Sequence, residues 1–107
     1  MSLDVYLERV QPSTVFEANY THNCGKMADA AGIYYHLWRP EEIGITLASQ
    51  LIEPLEAGIK AMETDSAKFI ALNPANGCGS YDTFLPWVRK YLAACREFPD
   101  ATVRTST

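Results

Sequence analysis

Along the first residues of the chain, apolar and polar side chains alternate. Leu3, Val5 and Leu7 fall on one side, and Asp4, Tyr6 and Glu8 on the other. A period of two predicts a strand over residues 3–10 with one buried face. Gln11-Pro12-Ser13 reads as a turn. Residues 14–20, with Val15, Phe16 and Tyr20, are β-branched and aromatic and predict a second strand pairing back on the first. The period then changes. Thr21-His22-Asn23 supplies helix-capping side chains, and Cys24, Met27, Ala28, Ala31 and Tyr35 follow on a single helical stripe with a 3.6-residue repeat. Gly32 weakens this helix near its end, and it should stop before Pro40.

Pro40-Glu41-Glu42 has the form of a helix start, proline first and then acids near the positive end of the dipole. Thr46 is placed to cap the next helix, which carries Leu47, Leu51, Leu55, Ile59 and Met62 on one stripe. Pro54 lies inside that stripe and predicts a kink or a break. Residues 66–72 form a short helical piece with Phe69, Ile70 and Leu72. Residues 73–80 (NPANGCGS) are the strongest loop signal, because Asn76-Gly77 and Gly79 tolerate positive φ. Ser80 or Asp82 then caps a last helix whose stripe is Tyr81, Phe84, Leu85, Val88, Tyr91, Leu92 and Cys95. Pro86 places its start near residues 82–83. Residues 101–107 are β-branched and predict a third strand.

Strands at both ends with helices between them predict an α+β fold. A small antiparallel sheet, the N-terminal hairpin plus the C-terminal strand, is covered by about four helices in one domain spanning residues 1–107. At 107 residues, with 48% hydrophobic and 21% charged positions, the composition is that of an ordinary globular domain.

Charge narrows the function. The net charge is −4 and the basic residues are scattered, Arg89-Lys90 with Arg96 being the clearest group. No concentrated basic surface is available for phosphates, so no nucleic-acid partner is expected. No basic amphipathic helix and no apolar run of about 20 residues points to a membrane. The start, Met1-Ser2-Leu3-Asp4, shows neither the positive region nor the apolar stretch of a signal peptide. Three cysteines, Cys24, Cys78 and Cys95, are an odd number. Free thiols and a cytoplasmic setting are therefore expected.

Several blocks of residues resemble a family of small bacterial and phage proteins to which no activity is attached. They are SLDVYL at residues 2–7, Thr21-His22-Asn23, and Met27-Ala28 with Ala31-Gly32-Ile33-Tyr34. LWRPEEIGI at 37–45, Asn73-Pro74 with Asn76-Gly77, and YLAAC at 91–95 complete the set. The resemblance covers nearly the whole chain. It implies a gene moved by phages or prophages and no particular reaction. Where that family often carries tryptophan after the Asn-Gly pair, this chain carries Cys78, which argues against a shared role for that thiol.

Two stretches carry the candidate chemistry. Thr21, His22 and Asn23 sit where a strand hands over to a helix, a place where ligands meet backbone donors. The plainer alternative is that they only cap the helix. Tyr34, Trp38 and Arg39 form an aromatic-basic segment of the kind that dominates binding hot spots, with Glu41 beside it. The plainer alternative there is that Tyr35 and Trp38 are core. A metal site drawn from His22, Cys24, Asp29, His36 and Cys78 matches no recognised spacing, and no metal or other cofactor is expected. A thiol enzyme would need Cys78 beside His22 or His36. Gly77-Cys78-Gly79-Ser80 lacks the lysine of a phosphate loop. No catalytic residue is assigned. The expected function is a non-enzymatic binding protein with a protein partner or a second copy of itself, since free sheet edges invite pairing. The alternative is a small metal- or thiol-dependent enzyme, or a ligand-binding module, built on His22, Asn23 and Cys78.

Overall fold

The computed structural model of the protein describes residues 2–8, 14–75, 77 and 79–106. The end of the first predicted strand and the turn at 11–13 lie outside these residues. The expected architecture is observed. Strand β1 (Ser2–Glu8) pairs antiparallel with β2 (Thr14–Thr21), setting Leu3 opposite Tyr20 and Leu7 opposite Phe16. The C-terminal strand β3 (Thr102–Ser106) returns to the other side of β1, with Val5 opposite Thr105, giving the order β2-β1-β3.

The alternation read along β1 is the sidedness of this sheet. Leu3, Val5 and Leu7 are fully buried beneath the helices, while Asp4, Tyr6 and Glu8 are half-buried on the other face. On that face Arg104 donates to both carboxylate oxygens of Glu8, at 3.1 Å each. Its guanidinium carbon lies 3.9 Å from the centre of the Tyr6 ring. An exposed ion pair contributes below about 1 kcal/mol, so this cluster fixes the register of β3 on β1 more than it holds the fold.

Five α-helices are present among the described residues: α1 (Gly25–Ala30), α2 (Tyr34–Trp38), α3 (Ser49–Thr64), α4 (Ser66–Ile70) and α5 (Tyr81–Glu97). Short 3-10 turns at His22–Cys24 and Pro40–Ile43 precede α1 and follow α2. The single helix expected from Cys24 to Pro40 is broken in two. Gly32 adopts φ +79°, a left-handed conformation that ends a helix. The Ile33 N–H then reaches the Ala28 carbonyl at 2.9 Å and the chain restarts as α2. Tyr35, placed on the buried stripe by periodicity, is thereby turned outward and is 47% exposed.

Two further expectations are corrected at helix α3. Its start is served by Gln50, whose Oε1 accepts the backbone N–H groups of Thr46 (2.7 Å) and Leu47 (2.8 Å). Thr46 is thus a donor to Gln50, and the residue at the N-cap position is Ala48. Of the kink or break expected at Pro54, the break is absent: α3 runs continuously from Ser49 to Thr64. Leu51, Leu55, Ile59 and Met62 are buried along its inner face, and this packing holds the helix where one backbone donor is missing.

Helix α5 starts at Tyr81, with Ser80 before it. Thr83 Oγ1 accepts the Ser80 N–H at 3.2 Å, and Asn73 Oδ1 accepts the Tyr81 N–H at 2.8 Å. Its predicted stripe from Phe84 to Cys95 is buried. Helices α3 and α5 lie against each other and are tied at their edges by the Tyr81 hydroxyl donating to the Met62 carbonyl (2.9 Å). Arg96–Glu56 (2.6 Å) and Arg89–Glu63 pairs add to this. Gly58 faces Ile33 so closely that a Cβ there would lie 2.6 Å from Ile33 Cγ2. The residue after the Gly32 turn is thus seated in a notch of α3.

Candidate functional site

The chain reversal at Gly32 decides what the surface looks like. It folds α2 back against the start of α1, so that the Tyr34 ring lies over Gly25. A Cβ at Gly25 would be 3.5 Å from Tyr34 Cε1, ordinary contact. Tyr34 also stacks on Trp38 one turn later, with ring centres 5.4 Å apart and planes 8° from parallel. Tyr35 meets Tyr34 edge-on at 5.4 Å. Offset-stacked and edge-to-face pairs of this kind are the favoured aromatic geometries.

A cleft of about 650 Å³ opens beside this stack. Asn23 lines it from the 3-10 turn before α1, and Lys26 from the first turn of α1. Tyr34 and Trp38 line it from α2. The segment from Ala71 to Ala75 forms the opposite wall, with Asn73 and Pro74 in it. Trp38 is only 3% exposed and supplies the floor, with its far side in the core near Phe84. Asn23 and Lys26 are exposed at the rim. The side-chain carbonyl oxygen of Asn73 is occupied by the Tyr81 N–H, which leaves its amide N–H groups as the donors it brings to the wall. The lining is therefore two stacked rings, two side-chain amides, one ammonium and small apolar groups.

Three residues expected at a binding site, Asn23, Tyr34 and Trp38, are brought together here. Thr21, Arg39 and Glu41 do not line the cleft. Thr21 Oγ1 accepts the Asn23 N–H at 3.3 Å, and its methyl faces Gly79, where a Cβ would come within 2.7 Å. Gly79 has φ +91°, so this approach depends on glycine twice, for its backbone angle and for its missing side chain. Thr21 thus shapes the strand-to-helix corner. Arg39 is exposed and donates to the Tyr34 hydroxyl and to Glu42 Oε2 (3.1 Å). Both hold its pKa above the ordinary arginine value, the Tyr34 bond foremost. It touches the site through Tyr34. Glu41 is exposed on the 3-10 turn. The His22 side chain and Cys78 lie outside the described residues.

Lys26, Gly25 and the 71–75 wall were not singled out from the sequence. Asn73-Pro74 gave a loop signal, but nothing local says which helix a loop will face. Lys26 was one polar residue on the outer side of a helical stripe.

Two of the remaining candidate groups, Cys24 and Cys95, are buried, while Asp29 is exposed. Burial raises the pKa of the Cys24 thiol, and the Tyr20 hydroxyl 3.7 Å away acts in the opposite sense. Burial pushes the Cys95 thiol up to about 12. Neither thiol is primed as a nucleophile, which would need a lowered pKa. His36 is half-buried on α2 and does not line the cleft. Burial lowers its pKa, with the Gly32 carbonyl acting in the other direction. Among the described residues, no three His, Cys, Asp or Glu side chains are grouped as metal ligands, and no helix is long and apolar enough to cross a membrane. No family model matches the chain, and neither the curated proteins nor the solved structures contain a match to it.

Proposed function

We propose that the chain is a non-enzymatic binding protein that takes a segment of a protein partner in the cleft between α1, α2 and the 71–75 wall. One observation carries this reading. Asn23 and Tyr34 with Trp38, from two separate stretches of the sequence, line a single concavity together. Its chemistry is that of recognition. Rigid rings offer area at little entropic cost, amides offer hydrogen bonds, and Lys26 offers a charge at the rim. The segment it suits carries an apolar or planar side chain for the Trp38–Tyr34 surface and a carboxylate for Lys26. The resemblance to small bacterial and phage proteins supports a phage or prophage origin. Free buried thiols support a cytoplasmic setting.

Trp38→Ala is a poor probe, because Trp38 is core as well as floor. The test uses the exposed rim. A tagged chain, with Lys26→Glu and Ala75→Arg variants, is used to capture partners from the producing cells. Each variant's fold is checked by circular dichroism. The partner held by the wild type should be lost by both, with at least about tenfold weaker binding in titration. Full binding by a folded Ala75→Arg variant sinks the reading. A second reading, a small-ligand module, is favoured by the cleft's volume, which falls within the roughly 300–1,000 Å³ of small-molecule sites. Native mass spectrometry separates the two: a co-purifying small mass lost in the Ala75→Arg variant would favour the ligand.

A further inference from the structure

We infer that the outer edge of β2 joins the same edge of a second copy of this chain, antiparallel, with Ala18 on the two-fold axis and a continuous six-stranded sheet as the result. The two edges of the sheet are treated differently. The β3 edge is covered over its first half by the segment entering α3, where the Val103 N–H donates to the Thr46 carbonyl (2.8 Å) and Leu47 bridges to Thr102. No described strand pairs with the outer side of β2. Open edges are normally guarded by lysine, proline or a bulge. In β2 (TVFEANYT) there is no lysine and no proline, and Glu17 is its single charge. The one irregularity, between the Leu7 and Glu8 pairings, sits at the start of the strand and leaves 16–21 regular.

The side facing the helices also ends abruptly at this edge. Leu3, Val5 and Leu7 on β1 are fully buried, while their partners Tyr20, Ala18 and Phe16 on β2 are only half-buried. Trp87 of α5, half-buried as well, stands 5.5 Å from the Tyr20 ring. An apolar strip therefore runs along an edge that has no strand partner among the described residues.

The sequence of β2 fits itself about Ala18. With both helical layers on the same side, residues of like parity face each other. Ala18 then meets the partner's Ala18, Phe16 meets the partner's Tyr20, and Glu17 meets the partner's Asn19. An aromatic pair falls on the helix side twice, and small residues occupy the axis. Sliding by two residues one way sets Glu17 against the partner's Glu17, a like-charge pair directly opposite. Sliding the other way moves Phe16 past the end of the strand. Six strands lie within the common size of a sheet.

Sedimentation equilibrium tests this on the full chain. A monomer–dimer equilibrium is expected. Asn19→Lys, which sets an ammonium against the partner's Glu17 twice, should tighten it by about two- to tenfold, and Asn19→Glu should loosen it by a similar factor. Since Asn19 also faces Asp4 within the chain, thermal midpoints at dilution measure the intrachain effect separately. In a Cys78→Ser background, Ala18→Cys should form an intermolecular disulfide on mild oxidation. Opposed Cα atoms at about 4.5–5.5 Å suit one. A monomer at concentrations up to about 1 mM overturns the inference and leaves the edge to a different chain. A dimer indifferent to both Asn19 variants, or not cross-linked at residue 18, overturns it equally.

Discussion

Replacing Gly58 with alanine sets two physical effects against each other. Helix propensity alone favours the change by about 1 kcal/mol, since glycine in a helix interior is costly. Packing opposes it. The new Cβ would stand 2.6 Å from Ile33 Cγ2, 3.1 Å from Cδ1 and 3.4 Å from Cγ1. Ile33 has little room to give way. It is 1% exposed, follows the left-handed Gly32, and its N–H is bonded to the Ala28 carbonyl. Overpacking a filled core costs about 1–3 kcal/mol. The expected net loss is therefore on the order of 1 kcal/mol, or a fall of roughly 4–8 °C in Tm for a domain near this size. Urea denaturation of four proteins would show it: wild type, Gly58→Ala, Ile33→Ala and the double variant. Ile33→Ala alone should cost about 2–5 kcal/mol. In the Gly58→Ala background it should cost about 1 kcal/mol less or better, because the overlap is relieved as the cavity forms. A Gly58→Ala protein stabilised by about 1 kcal/mol refutes the argument. So does a double variant additive to within about 0.5 kcal/mol.

Other outcomes follow from burial and charge. Because burial lowers the His36 pKa below the ordinary 6.5, the unfolded chain binds the proton first. His36 therefore contributes full stability above about pH 6.5 and loses it as pH falls through the folded-state value. The urea midpoint should drop between about pH 7.5 and 5.5, and His36→Gln should flatten that drop. An unchanged slope in the variant would count against it. The thiols of Cys24 and Cys95, both raised by burial, the latter to about 12, should resist iodoacetamide at about pH 8 in the folded protein and react in guanidinium. Rapid native labelling of Cys95 in a mass-spectrometric digest would contradict this placement.

What was legible in the sequence was whatever one period describes. Leu3, Val5 and Leu7 alternate, and all three are buried. The stripe from Phe84 to Cys95 repeats every 3.6 residues, and its members are buried on α5. The return of residues 102–106 to β1 followed from composition and the need to satisfy a sheet. The split of the first helix was not legible, because a 3.6-residue stripe does not record the sign of a backbone angle. Cys24, Met27, Ala28, Ala31 and Tyr35 keep the stripe across Gly32, and the chain turns there regardless.

That turn is also what makes the site. On one unbroken helix, Gly25 and Tyr34 would be about 13 Å apart along the axis, at roughly 1.5 Å per residue. In the folded chain the Tyr34 ring is within contact distance of the Gly25 position. Asn23 and Tyr34 thereby come to line one cleft, where a straight helix would separate them by about 16 Å. Two candidate stretches that look independent in one dimension are made neighbours by a single left-handed glycine. The notch at Gly58 that receives Ile33 locks that reversal in place. The strain placed at Ile33 by Gly58→Ala should therefore reach Tyr34, its chain neighbour. A variant that keeps its fold should still bind the cleft's partner more weakly than the wild type, although residue 58 does not line the cleft. Unaltered affinity in a protein destabilised by the expected amount would separate the notch from the site.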